Sequence, residues 1–138
     1  MTKLFYLDTS IWLDFLEDRN EPNMPKSDWA KKFIENIILY DDKIIISDVV
    51  INELIALGYS EYDLEEIFLG FDEIIIRKNS LKKQVGKAKD LSKKREVPLL
   101  DALHAVIARD NNALLITFDN HFKQLTDIVK TSTSKEFI

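Results

Sequence analysis

Residues 43–57 read KIIISDVVINELIAL. Lys43–Ser47 (KIIIS) has the short β-branched run of a buried strand. Ser47 and Asp48 then offer side-chain oxygens to cap a helix, which runs on to about Leu57 and meets a natural stop at Gly58. A buried strand that turns directly into a capped helix is half of a βαβ unit, and such units build parallel sheets. Glu53 lies inside that helix among Ile51, Leu54 and Ile55, with no basic residue three or four positions away. A carboxylate placed there without compensation costs free energy.

The same alternation continues in both directions. Upstream, Lys3–Asp8 reads as a strand, Ser10–Asp18 as a helix, 19–26 as a loop holding Pro22 and Pro25, and Ser27 as the N-cap of a helix to about Leu39. Downstream, Ser60 and Asp63 form a capping pattern for a helix to Leu69, Glu73–Arg77 reads as a strand, and Asn79 or Ser80 begins a long basic helix to about Arg95. Pro98 suits the first turn of a helix to about Asn111. Ala113–Thr117 reads as a strand, Asn120–Leu125 as a short helix and Asp127–Lys130 as an edge strand. The tail TSTSKEFI is polar until Phe137 and Ile138, and its docking stays open. The expectation is one α/β domain over residues 1–138, with a mostly parallel sheet of four to five strands.

Composition narrows the chemistry. The 138 residues are 46% hydrophobic and contain no cysteine, which removes disulfides, thiolate metal sites and a cysteine nucleophile. No stretch reaches membrane-spanning length, MTKLFYLDTS does not read as a signal peptide, and a cytoplasmic setting is expected. Net charge is −5, yet Arg77, Lys78, Lys82, Lys83, Lys87, Lys89, Lys93, Lys94 and Arg95 fall within one short segment opposed only by Asp90. Lys82, Lys83, Lys87 and Lys94 are candidate phosphate contacts, against the plainer reading of a solvated helix face.

Four acids sit in apolar surroundings: Asp8 closes LFYLD, Glu53 lies in VVINELIAL, Asp101 lies in PLLDALHAVIA, and Asp119 closes LLITFD. In a parallel sheet, sites form beyond the carboxyl ends of the strands. Asp8 and Asp119 end strands there, and Asp101 and Glu53 lie early in helices that start from that edge. Four gathered carboxylates repel one another, and a divalent cation is the simplest compensation. Singly, Asp8 and Asp119 also make sense as helix caps and Asp101 as a partner of the helix dipole. Asp14, Glu17, Asp18, Glu61, Glu65 and Glu66 read as solvated faces. His104, one turn after Asp101, reads first as a packed histidine, and His121 as a loop residue near the site mouth.

The ordered set LDTSIWLDFL, ISDVVINEL, PLLDALHAVIA and LLITFDNHF resembles the PIN-domain nucleases, especially the toxin subunits of VapBC toxin–antitoxin pairs. The resemblance spans Lys3 to about Leu125. It implies a three-layer α/β/α PIN-like domain that cleaves RNA with Mg²⁺ or Mn²⁺. It carries Asp8, Glu53, Asp101 and Asp119 over as metal-binding and catalytic acids, and Ser10 and Thr117 as the hydroxyls that accompany them. It also implies a small antitoxin protein as partner and a homodimer. Trp12, Phe15, Tyr59, Tyr62 and Phe68 are candidate contact residues. Some family members carry a further acid just after the fourth, where this chain has Asn120, His121, Phe122 and Lys123.

Two alternatives remain. One is a catalytically silent PIN-like module that binds RNA or protein. The other is a phosphoaspartyl enzyme or receiver domain using Asp8. A haloacid-dehalogenase pattern wants a second Asp where Ser10 stands, a receiver domain wants paired early acids and a phosphorylated Asp mid-chain, and neither pattern fits.

Overall fold

A computed structural model describes residues 2–137. Its centre is a five-stranded sheet of order β3-β2-β1-β4-β5, parallel throughout. The strands are β1 (Leu4–Leu7), β2 (Lys43–Ser47), β3 (Ile75–Lys78), β4 (Leu114–Ile116) and β5 (Thr131–Ser132). The flanking helices are α1 (Thr9–Leu16), α2 (Lys26–Leu39), α3 (Asp48–Ala56), α4 (Glu61–Leu69), α5 (Lys82–Arg95) and α6 (Leu99–Asp110). Short 3₁₀ turns cover Asn120–Leu125 and Ser134–Phe137. The chain winds outward from β1 to β3, returns over the sheet through α5 and α6, and resumes on the other side of β1. The strand order therefore reverses between β1 and β4, where parallel sheets open a crevice at their carboxyl edge.

The local reasons match the sequence. Ile44, Ile45 and Ile46 of β2 and Phe5, Tyr6 and Leu7 of β1 are buried, as strands covered on both faces require. Ser47 caps α3 by accepting from Val50 N at 3.3 Å, and Ser60 caps α4 by accepting from Asp63 N at 3.0 Å. Helix α6 is buried almost all round, from Ala102 to Ala108. Among the described residues no helix is long and apolar enough to cross a membrane.

Several boundaries move for identifiable reasons. The edge strand is Thr131–Ser132, not Asp127–Lys130. The amides of Leu115 and Thr117 reach Lys130 O and Ser132 O, at 3.0 and 2.9 Å, while Asp127 is held outside the sheet by Arg95. Helix α2 starts at Lys26 behind Pro25, because the Ser27 hydroxyl donates to Asp18 and caps nothing. Ser80 does not cap α5: its amide and hydroxyl both donate to Asp48, at 2.8 and 2.9 Å. Pro98 sits just before α6 rather than in its first turn. Phe137 docks against Phe5 and Phe33, with ring centroids 5.3 and 6.0 Å apart; Ile138 lies outside the described residues.

Two readings of the surface are corrected. Asp14 is not on a solvated face but 2% exposed. Its Oδ1 lies 3.5 Å from Arg19 Nε and has no hydrogen-bond partner among the described residues. Burial pushes its carboxyl up to about 6. Trp12 and Phe68 are core residues packed edge to face on each other at 5.3 Å, so neither is available to a partner. Of that group Tyr62 is well exposed, and it has exposed Leu57 and Leu69 for company on the same stretch of chain.

Candidate metal centre

Strand β1 delivers Asp8 to the carboxyl edge, where it caps α1. Its Oδ1 accepts from Ile11 N at 3.0 Å and from the Ser10 hydroxyl at 2.7 Å, and its Oδ2 accepts from the Thr117 hydroxyl beyond β4. Burial drives the Asp8 carboxyl upward, and these three donors oppose it. Thr117 Oγ1 in turn accepts from Asp119 N at 2.9 Å, so one hydroxyl ties the two strand-end acids together.

Asp101 stands in the first turn of α6 and Asp119 caps the 3₁₀ turn that follows β4. His121 Nδ1 lies 3.2 Å from both Asp101 Oδ2 and Asp119 Oδ1. The three side chains each offer a ligand atom within 4.8 Å of the others. Burial raises the Asp101 carboxyl above its usual range, and the negative charges of Asp119 and Asp8 raise it further. The Thr117 hydroxyl, bonded both to Asp8 Oδ2 and to Asp119 N, sets Asp8 beside this cluster.

Glu53 reaches the same edge from α3. Its Oε1 lies 2.5 Å from His104 Nε2 and accepts from the Thr9 hydroxyl at 2.9 Å. Burial would raise its carboxyl, and the hydrogen bonds from His104 and Thr9 oppose that rise. The compensation missing from its own helix thus comes from α6 and α1. His104 is packed, 2% exposed, and also bonded at both ring nitrogens.

Ser10 and Thr117 both hydrogen-bond an acid. The sequence reading passes over Thr9, sets His104 on the helical face of Asp101 as a packed histidine able to hydrogen-bond an acid, and sets His121 near the site mouth. The structure brings all three to the acids. The threonine in DTS and the one-turn spacing of Asp101 and His104 were the available signals.

Lys82, Lys83, Lys87 and Lys94 are all exposed on α5. Lys83 and Lys87 line a cleft of about 670 Å³ with Lys78 and Arg109. Arg109 is near the end of α6 away from Asp101, some 12 Å along the axis at 1.5 Å per residue. The Lys94 end lies closer: neighbouring Arg95 bonds Gln124 O at 3.0 Å and Asp127 Oδ1 at 2.6 Å, at the turn that follows Asp119.

The family model for the PIN domain matches residues 5–128, the span that holds all of these acids. The chain belongs to the PIN-domain family. This PIN domain is similar in fold to chains of three solved toxin–antitoxin assemblies. VapBC2 from Rickettsia felis, bound to a promoter DNA fragment, matches with a TM-score of 0.68 at 19% identity, over 94% of this chain and 98% of that one. A toxin–antitoxin complex from Klebsiella pneumoniae matches at 0.67 and 20%, over 94% and 97%. VapBC-1 from nontypeable Haemophilus influenzae matches at 0.64 and 24%, over 95% and 98%. No curated protein matches the chain in sequence.

Proposed function

We propose that this PIN domain is a metal-dependent endoribonuclease, the toxin component of a toxin–antitoxin pair. The observation that carries the reading is the Asp101–Asp119–His121 cluster with Asp8 beside it. It offers mostly carboxylate oxygens, which suit Mg²⁺ or Mn²⁺. Burial and the charges of Asp119 and Asp8 raise the Asp101 carboxyl, and the three acids lack a Lys or Arg ion-pair partner among the described residues. Asp8, Asp101 and Asp119 would hold the ion, with Glu53 completing the shell directly or through water. His121 stands where it can add a ligand nitrogen. A bound divalent ion would polarise the phosphodiester and activate a water.

The chain's own residues set the conditions for that chemistry. Ser10, Thr117 and the Ile11 amide aim the Asp8 oxygens, and Thr9 and His104 hold Glu53. The lysines of α5 would receive the RNA backbone, Lys94 nearest the acids and Lys82, Lys83 and Lys87 farther along, giving a salt-dependent affinity. An antitoxin protein and a second copy of the chain are the proposed partners. The similarity to chains of toxin–antitoxin complexes supports the first. A cytoplasmic setting accords with an RNA substrate.

The test is cleavage of labelled single-stranded and structured RNA with Mg²⁺ or Mn²⁺, by wild type, wild type with EDTA, and Asp101→Asn. Cutting by wild type alone supports the reading. Equal cutting by a folded Asp101→Asn protein would sink it.

A further inference from the structure

Glu53 is one end of a hydrogen-bond chain that links β2, β1, α6, α3 and α1. Val50 N donates to Ser47 Oγ at 3.3 Å, and Ser47 Oγ lies 2.6 Å from the Tyr6 hydroxyl. The Tyr6 hydroxyl lies 2.6 Å from His104 Nδ1, and His104 Nε2 lies 2.5 Å from Glu53 Oε1. The chain leaves the first turn of α3 at Val50 and returns to the second turn of the same helix at Glu53. Ser47 and Tyr6 are fully buried and His104 nearly so.

Proton counting fixes its direction. Ser47 Oγ already accepts from Val50, and its only other partner among the described residues is Tyr6. If Tyr6 donated to Ser47, the Ser47 proton would be left buried with no acceptor, at a cost of about 1–3 kcal/mol. Ser47 therefore donates to Tyr6, and Tyr6 donates to His104 Nδ1. That nitrogen must be bare, so the proton of a neutral imidazole sits on Nε2 and points at Glu53. Burial raises the Tyr6 phenol far above its ordinary range, which keeps the hydroxyl a donor. Every proton in the chain then has one acceptor, and every acceptor is an oxygen or nitrogen with a lone pair to give.

We propose that Ser47, Tyr6 and His104 form a one-way donor relay that locks His104 as its Nε2–H tautomer and makes it a positioning residue for Glu53. Oε1 is held by His104 and Thr9 together, so Oε2 is the oxygen turned over to a ligand. The part that concerns a ligand rests on the proposed metal centre; the relay itself does not. Tyr6→Phe keeps the ring and removes the one hydroxyl that dictates the tautomer.

The experiment has two arms on the full chain. Nitrogen-15 correlation spectra of the His104 ring, recorded without metal at neutral pH, read the tautomer in wild type and in Tyr6→Phe. Calorimetric titration with Mn²⁺ reads the affinity of both. The expected results are a single Nε2–H tautomer in wild type, a mixed population in Tyr6→Phe, and a Mn²⁺ affinity about tenfold weaker in the variant, as for other residues that orient metal ligands. A wild-type ring protonated at Nδ1 overturns the relay. A folded Tyr6→Phe protein that binds Mn²⁺ as wild type does overturns the positioning role. If wild type binds no Mn²⁺, the metal-centre reading fails instead, and the wild-type spectrum, which needs no variant to fold, decides the relay by itself.

Discussion

The two sides of the acid cluster treat the same chemical group in opposite ways. On the inner side, Asp8 accepts from Ile11, Ser10 and Thr117, and Glu53 accepts from Thr9 and His104. Protein donors take the place of water there and oppose the cost of burial. On the outer side, Asp101 and Asp119 share His121 and face each other, and Asp101 ionises less readily than usual. Asp8 is also held above its usual range, because burial outweighs its three donors. The fold thus orients the inner carboxylates without fully compensating them, while Asp101 has burial and the charges of Asp119 and Asp8 against it. The difference teaches which carboxylates the fold orients with its own hydroxyl, amide and imidazole donors and which it leaves to share one exposed histidine.

Four experiments break or sharpen that contrast. The largest effect belongs to the outer side: Asp101→Asn should lower RNA cleavage by more than about 100-fold, beyond the loss expected for a residue that only orients a ligand. Initial rates beside circular dichroism would check it, and a well-folded variant that still cuts would erase the distinction. Next, Mn²⁺ at a hundred times its dissociation constant should stabilise wild type by about 2.7 kcal/mol, reversed by EDTA. An unmoved thermal midpoint would mean that the outer side takes up no cation.

Thr117→Val tests the inner side. It strips Asp8 of a donor and Asp119 N of its acceptor, and should destabilise the metal-free protein by about 2 kcal/mol in urea unfolding. The smallest effect comes from Asp14, a buried acid whose Oδ1 has no hydrogen-bond partner among the described residues. Its raised pKa means that the native state favours the protonated form. Stability therefore falls as pH climbs from the ordinary carboxylate range to about 6, then stays level. Asp14→Asn should gain about 1 kcal/mol at pH 7.5, because relief of the charge is partly offset by a buried amide short of partners. The gain should vanish at pH 4; unfolding curves at the two pH values decide it.

Most of the fold was legible because its signals are local. KIIIS followed by a capping serine, SEYD at the start of α4 and the apolar run of α6 each declare an element within a dozen residues. Boundaries failed where a distant group overrode a local preference. Ser27 and Ser80 look like caps but are drawn to Asp18 and Asp48, and β5 is set by the register it makes with Leu115 and Thr117. The strand-end acids could be read for the same local reason as the strands. Their partners could not. His104 and Thr9 meet Glu53 from positions 51 and 44 residues away, and no spacing rule within one helix reports such a meeting. Asp14 was misread because α1 turns that position toward the protein, although its side chain suits water.

The position of β1 in the middle of the sheet sets a clock. The strand that carries Asp8 emerges from the ribosome before the other four, yet the hydroxyl that holds Asp8 Oδ2 comes 109 residues later and the imidazole bonded to Tyr6 comes 98 residues later. At about 5–20 residues per second, that interval is roughly 5–20 s of synthesis. Until α6 is made Glu53 has no histidine to hold it, and until β4 pairs with β1 Asp8 and Asp119 belong to no common edge. A nascent chain therefore carries Asp8 and Glu53 without the site, which waits for the segment from Asp101 to Asp119 to be made.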